Sequence, residues 1–407
     1  MDRPHRAPPA ALLALAVALA ASAAASARDV VLNAQGEFLD AYLVNGAAFP
    51  PRVVFIDPDP PAPDDPNGSP PRVGRHVNGP LCFFPPKFRH TGYFAIADDT
   101  YREACLDRTP PQARCAATRA SPLWVGRDPD GWAIFRRSGK WTRGHIHTAW
   151  DFSGPPPQGN IDPQGCAFDA QGNFWGVDVG HGSAKEHDGS LVVFFPGPRK
   201  RYREYCFVDE ALAAPGMPAM DDAGNLYVPE PAALRVTRFS PPFPTSPADC
   251  ANPKRLVTMP PTKTTFLAAG AGGAFTFAGI VRLPSGHFFV GSVLAPPVVN
   301  EYDASGLFVR TVVPAGIPGN PLGLAVGTDG TLYYSELSLD PTTLDTRCGR
   351  VSMVRFDAAG RSGAPQVLGR NLAFPDGVTV VDSSRFRLDF GKLPPAVEQP
   401  PSACGGE

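Results

Sequence analysis

The 407-residue chain lacks a dominant charge: 37 Lys and Arg stand against 39 Asp and Glu, a formal net charge of −2. Without a basic stripe it has no electrostatic footprint for a phosphate backbone, which excludes nucleic acid as a partner. Beyond the N-terminus no apolar run approaches the roughly 20 residues a membrane helix needs, so no membrane span is expected. The eight cysteines are irregularly spaced and contain no Cys-x-x-Cys pair, which excludes the usual zinc and thioredoxin-like motifs. No Gly-x-Ser-x-Gly elbow occurs, and the Gly-rich stretch 270–276 lacks the Lys-Ser/Thr of a phosphate loop. A serine-hydrolase or nucleotide-binding reading therefore has no support.

The N-terminus carries Arg3 and Arg6, then an Ala/Leu/Val run from Ala10 to Ala21, then small residues ending at Ala27. That order is the signature of a secretory signal over residues 1–27, cut after Ala27, and predicts a secreted or periplasmic protein. No Cys follows the small residues directly and no Arg pair precedes the run, so neither a lipid anchor nor twin-arginine export is indicated. In an exported chain the cysteines read as disulfides. Proximity suggests Cys105 with Cys115 and Cys206 with Cys250, leaving Cys82, Cys166, Cys348 and Cys404 unassigned.

Proline (49) and glycine (41) are abundant, yet aromatic and β-branched residues are too, a turn-rich β composition rather than a disordered one. Residues 164–179, 217–231, 278–293 and 322–337 align as one repeat. Each is a short apolar strand, a two-residue turn ending in Gly (Gln171-Gly172, Ala223-Gly224, Ser285-Gly286, Asp329-Gly330) and a strand with aromatics. Residues 79–99 form a looser fifth copy, and a sixth begins at Pro375. Copies recur every roughly 45 to 85 residues, the length of a four-stranded blade plus loops. Residues 30–45 resemble 299–314, an outer strand pair with no inner pair before it, while the last copy has inner strands only. Joining N-terminal outer strands to C-terminal inner strands would close a ring. The predicted fold is thus an all-β, six-bladed β-propeller spanning 28–393, with a Pro-rich insertion at 58–79 and a loose tail at 394–407. Ring closure predicts a monomer.

The pattern resembles NHL repeats and the gluconolactonase/senescence-marker family of six-bladed (TolB/NHL-like) propellers, with Pro375-Asp376-Gly377-Val378 similar to that family's "PDGL" strand start. The resemblance implies a cation at the channel mouth held by Glu, Asn and Asp side chains. Asp376 matches that set residue for residue; the family's Glu-Gly-Pro and Asn-Gly-Leu strand starts are absent.

In a propeller the ends of the second strands surround the channel mouth. Here those ends are Asp98 and Asp99, Asp178, Glu230, Ser292 and Glu336. With Asp376 they could form an acidic ring for a hard cation such as Ca²⁺, or the acids could simply turn the chain. His145 and His147, in a His-x-His, and His181 lie in loops expected on the same face. The His-x-His could be half of a Zn or Cu site completed by His181 and Asp178 or supply a general base, or these could be ordinary surface histidines. Phe174, Trp175, Phe288 and Phe289 are expected to pack between blades rather than to form a sugar platform. Two functions follow: a module binding a small molecule or protein ligand at the channel mouth, or a Ca- or Zn-dependent, lactonase-like hydrolase or lyase.

Overall fold

A computed structural model describes the backbone of the strands within 29–146, and residues 163–178, 189–197, 202–251, 255–316, 319–338, 349–372, 375 and 377–382. The described strands fall into six sheets, each built mainly from antiparallel pairs of chain neighbours. The sheet at the chain termini contains β1 (Asp29–Gln35), β2 (Phe38–Val44), β3 (Pro51–Phe55) and, from the other end of the chain, β26 (Val378–Asp382). Next come β4 (Arg75–Phe83), β5 (Phe94–Thr100), β6 (Gly131–Phe135) and β7 (Trp141–Ile146). The third sheet contains β8 (Pro163–Phe168), β9 (Phe174–Asp178), β10 (Gly189–Pro196) and β11 (Tyr202–Leu212).

The fourth sheet contains β12 (Ala219–Met220), β13 (Leu226–Glu230), β14 (Arg235–Ser240) and β17 (Thr262–Leu267). Between its last two strands the chain leaves to add β15 (Cys250–Ala251) and β16 (Leu256–Val257) to the edge of the third sheet. The fifth is β18 (Phe277–Arg282), β19 (Phe288–Ser292), β20 (Val298–Tyr302) and β21 (Phe308–Val313), and the sixth is β22 (Pro321–Val326), β23 (Leu332–Glu336), β24 (Gly349–Val354) and β25 (Gln366–Leu372).

Strand alternation explains why these sheets stack face to face. In β13, Leu226 and Val228 point back into a cluster with Trp175, Val177, Leu191 and Val193 of the third sheet. Tyr227, between them, points forward to Phe277, Phe288, Val290 and Tyr302 of the fifth. Phe289 and Val299 then meet Leu324, Leu332 and Tyr334 of the sixth, while Tyr333 and Val351 meet Val378 of β26. The fourth, fifth and sixth sheets are therefore buried on both faces, the arrangement of propeller blades. Trp175, Phe288 and Phe289 lie in this packing, and Phe174 packs on Phe168 and Phe194 of its own sheet; all four are fully or almost fully buried. The first strands touch in succession from β8 through β12, β18 and β22 to β26, which contacts β4, which contacts β8. The fold is an all-β propeller.

Glycine sets how closely the first strands approach. A Cβ on Gly279 would collide with the Leu322 carbonyl oxygen, and one on Gly216 with that of Ala278. The Met217 N–H donates to the same Ala278 oxygen at 2.9 Å.

Two expectations are corrected. The hairpin loops hold three residues rather than two: Gly172 N–H donates to the Asp169 carbonyl, Asp169 N–H donates to the Asn173 carbonyl, and Gly172 has φ +90°. This is a type I turn closed by a left-handed Gly, which needs positive φ at one position only and so tolerates Ala-Gln or Asp-Ala before it. The terminal sheet divides as one strand from the C-terminus and three from the N-terminus, with β1 paired to β26 from Asp29↔Asp382 to Asn33↔Val378. The N-terminal hairpin thus fills the second and third positions, because the described C-terminal copy supplies its first strand alone.

Candidate functional site

Register alone makes the ends of the second strands equivalent. Asp98 pairs with Gly131, Asp178 with Ser190, Glu230 with Arg235, Ser292 with Val298 and Glu336 with Arg350, each at the start of its third strand. The sequence-derived ring of positions therefore exists as a set of matching backbone positions on one end of the sheets. For Asp98 the structure describes the backbone only, as it does for His145 of β7, which pairs with Ala133 of β6. His147, His181 and Asp376 lie outside the described residues, as does the Cys105–Cys115 pairing.

The two glutamates occupy the same local architecture. Glu230 has no solvent exposure. Its Oε1 accepts from Arg235 Nε at 2.8 Å and from the Thr237 hydroxyl. Its Oε2 accepts from an Arg235 Nη at 3.1 Å and from the Ala213 N–H at 3.0 Å. Glu336 repeats this arrangement: Arg350 Nη2 donates to Oε2 at 2.7 Å, Gly319 N–H donates to Oε2 at 2.8 Å, and the Ser352 hydroxyl donates to Oε1. The donors come from equivalent places: an Arg beginning the third strand, a hydroxyl residue two positions on, and an N–H from the link that leads into the sheet. Burial on its own would push the Glu230 carboxyl up, but hydrogen bonds from Arg235, Thr237 and Ala213, with the Arg235 charge, hold it below the usual carboxylate range.

The sequence reading missed Arg235, Thr237, Arg350 and Ser352. The available signal was Arg-Val-Thr at 235–237 and Arg-Val-Ser at 350–352, each following a strand that ends in Glu.

Asp178 is also buried and faces Ser190 across the strand pair. At the same position of the fifth sheet stands Ser292, whose hydroxyl accepts the Thr276 N–H at 3.3 Å. Among the described residues no group of three or more His, Cys, Asp or Glu comes together in a way that could hold a metal ion. The braced glutamates do not fit the acidic ring for a hard cation that the strand ends suggest. Their oxygens are already committed to donors, and a guanidinium sits where a cation would have to approach.

Of the proposed disulfides, Cys206–Cys250 is present, with Cα atoms 5.7 Å apart, and Cys166 is also disulfide-bonded. Among the described residues no helix is long and apolar enough to cross a membrane.

No protein-family model matches the chain, and no curated protein matches it. Among solved structures it is similar to a protein of unknown function from Bacteroides caccae, at 11% identity over 88% of this chain and 99% of that one, TM-score 0.45. It is also similar to virginiamycin B lyase from Staphylococcus aureus, at 10% identity over 84% and 81% of the two chains, TM-score 0.44. A putative gluconolactonase matches at 13% identity over 75% and 81%, TM-score 0.39.

Proposed function

We propose that the chain is an exported, six-bladed, NHL-like propeller that binds a small molecule or protein ligand at its channel mouth, each of the six sheets being one blade. The observation that carries this reading is the pair of arginine braces. At the positions where a cation-dependent hydrolase would need open carboxylate oxygens, Glu230 and Glu336 tie the second strand to the third and to the preceding link. A rim stiffened in this way suits recognition, because loops fixed before binding lose less entropy on binding. The connections on the same end support it: residues 179–188 join β9 to β10, and 337–348, with Cys348, join β23 to β24. The Cys206–Cys250 disulfide is compatible with export through a signal over residues 1–27.

Metal analysis of the purified protein after equilibration with Ca²⁺ and Zn²⁺ tests this reading. Retention well below one ion per chain is the expected result. One ion per chain, lost on Asp178→Ala, His181→Ala or Asp376→Ala, would replace the binding module with a Ca- or Zn-dependent, lactonase-like enzyme.

A further inference from the structure

The connections between third and fourth strands carry a charge imbalance that the whole-chain balance, 37 Lys and Arg against 39 Asp and Glu, conceals. Third strands start at the end of the sheets where Asp178, Glu230 and Glu336 stand, so these connections lie at the opposite end. In the second and third sheets they have the same form. Phe135 pairs with Trp141 and Pro196 with Tyr202, so five residues, 136–140 or 197–201, join the last residue of the third strand to the first of the fourth. Each connection contains three basic residues and leads into an aromatic residue and a further Arg. The sequences are Arg-Arg-Ser-Gly-Lys-Trp-Thr-Arg over 136–143 and Gly-Pro-Arg-Lys-Arg-Tyr-Arg-Glu over 197–204.

The fourth sheet's connection, 241–261, adds to the third sheet's corner. Leu256 of β16 pairs with Phe207 of β11, and Arg255 lies over the Tyr205 ring at 4.4 Å and against Glu204 at 3.5 Å. Together 136–143, 197–204 and 241–261 hold ten Lys and Arg against two Asp and Glu. Both acids are engaged, Glu204 by Arg255 and Asp249 by the Thr245 and Ser246 N–H groups. At the other end, the second-to-third connections of sheets two to six hold seven Lys and Arg against eight Asp and Glu, so the excess belongs to one end. Continuing round that end, the connections turn apolar. Met259 is 65% exposed, Leu307 69% and Phe308 46%. Asp303, the one charge in 303–307, is drawn into its own loop by the Ser305 N–H and hydroxyl and the Leu307 N–H.

We propose that this end of the propeller docks on an anionic lipid bilayer. Sheets two to five follow one another in the ring, through the β4–β8, β8–β12 and β12–β18 contacts, so basic and then apolar groups are spread over four neighbouring sheets at one end. A flat partner meets all of them at once. A soluble polyanion would engage the charges and leave Met259 and Leu307 in water. Lipid phosphates attract the basic connections, and exposed apolar side chains gain by entering the headgroup boundary. Trp141 and Tyr202, which begin the fourth strands, are of the residue types that sit at that depth. Docking in this way leaves the ends of the second strands open to water.

Co-sedimentation of the purified protein with vesicles tests the proposal, using phosphatidylcholine alone and phosphatidylcholine with about one-third phosphatidylglycerol. Binding to the mixed vesicles about tenfold tighter than to the neutral ones, and weakened by salt, is the expected result. Arg199→Gln/Lys200→Gln/Arg201→Gln should weaken it about tenfold or more, and Met259→Ser/Leu307→Ser about fivefold, with the thermal midpoint unchanged. Lys185→Gln/Arg347→Gln, at the other end, should leave it as it is. No binding, equal binding to both vesicles, or an equal loss in Lys185→Gln/Arg347→Gln would overturn the proposal. Retention on heparin, with vesicle binding indifferent to Met259→Ser/Leu307→Ser, would also overturn it and make a soluble polyanion the partner.

Discussion

Arg235 grips both carboxylate oxygens of Glu230 across the first residue pair of the β13–β14 hairpin, at 2.8 and 3.1 Å. Removing one member leaves the other charge buried or half-buried without its partner. Glu230→Ala should therefore lower unfolding stability by about 3 to 5 kcal/mol in urea denaturation, and Glu336→Ala by a similar amount. A Glu230→Leu/Arg235→Leu double variant should recover much of that loss; no recovery would mean that the hydroxyl and N–H contacts dominate.

The same carboxylate gives stability a pH dependence. Its folded pKa lies below its ordinary value of 4.5. Its contribution is thus fully present above the unfolded pKa and is lost as pH falls through the folded one. The wild type should lose stability on acidification below about pH 5, and Glu230→Gln should lose less over the same interval. Parallel acid titrations of the two would reveal a missing difference.

Tyr227 titrates at the opposite end of the scale. Burial, followed by the hydrogen bond its hydroxyl donates to Asp221 at 3.0 Å, pushes its pKa up to about 12. A raised folded pKa contributes stability present below the unfolded value of 10 and lost as pH rises through about 12. In ultraviolet alkaline titration, Tyr227→Phe should remove a late-ionising tyrosine and leave the early ones unchanged.

The β18–β21 sheet, whose equivalent positions hold no Glu–Arg pair, offers a constructive test. Ser292 and Val298 occupy the positions of Glu230 and Arg235, and Ser292 is fully buried. Ser292→Glu alone buries an unpaired carboxylate and should cost about 3 kcal/mol or more. Adding Val298→Arg should restore part of it, as measured by the denaturation midpoint.

Asp169 is the anchor of its hairpin turn. It accepts from Gln171 N and Asn173 N, from the Asn173 side chain and from the Trp175 indole at 3.0 Å. Asp169→Ala strands several buried donors and should cost about 2 to 3 kcal/mol, with a red shift in the emission of otherwise fully buried Trp175.

Those anchors are also why the sheets were legible in the sequence. The Asp169, Asp221 and Gly327 turns keep a Gly at one fixed offset, so a repeat search finds them directly. The braces escaped because their partners sit at unequal distances: Arg235 follows Glu230 by five residues, while Arg350 follows Glu336 by fourteen. A loop of any length can join the two strands so long as register returns the guanidinium to the carboxylate. Leu307, Phe308 and Val309 are exposed where β21 bulges between the Tyr302–Phe308 and Glu301–Arg310 pairs, and this too escaped because a bulge is a property of pairing that one strand read by itself does not display.

The glycines of the first strands carry a different consequence. Where Gly216 meets Ala278 and Gly279 meets Leu322, main chain rests on main chain. Spacing between neighbouring blades is therefore fixed by peptide groups, whose dimensions no substitution elsewhere can alter, rather than by side-chain size. A larger residue at either glycine would have to wedge two blades apart, and in a closed circle that strain would be shared by all the others. Sequence variation is consequently steered outward, to the loops, while the bore of the ring stays constant.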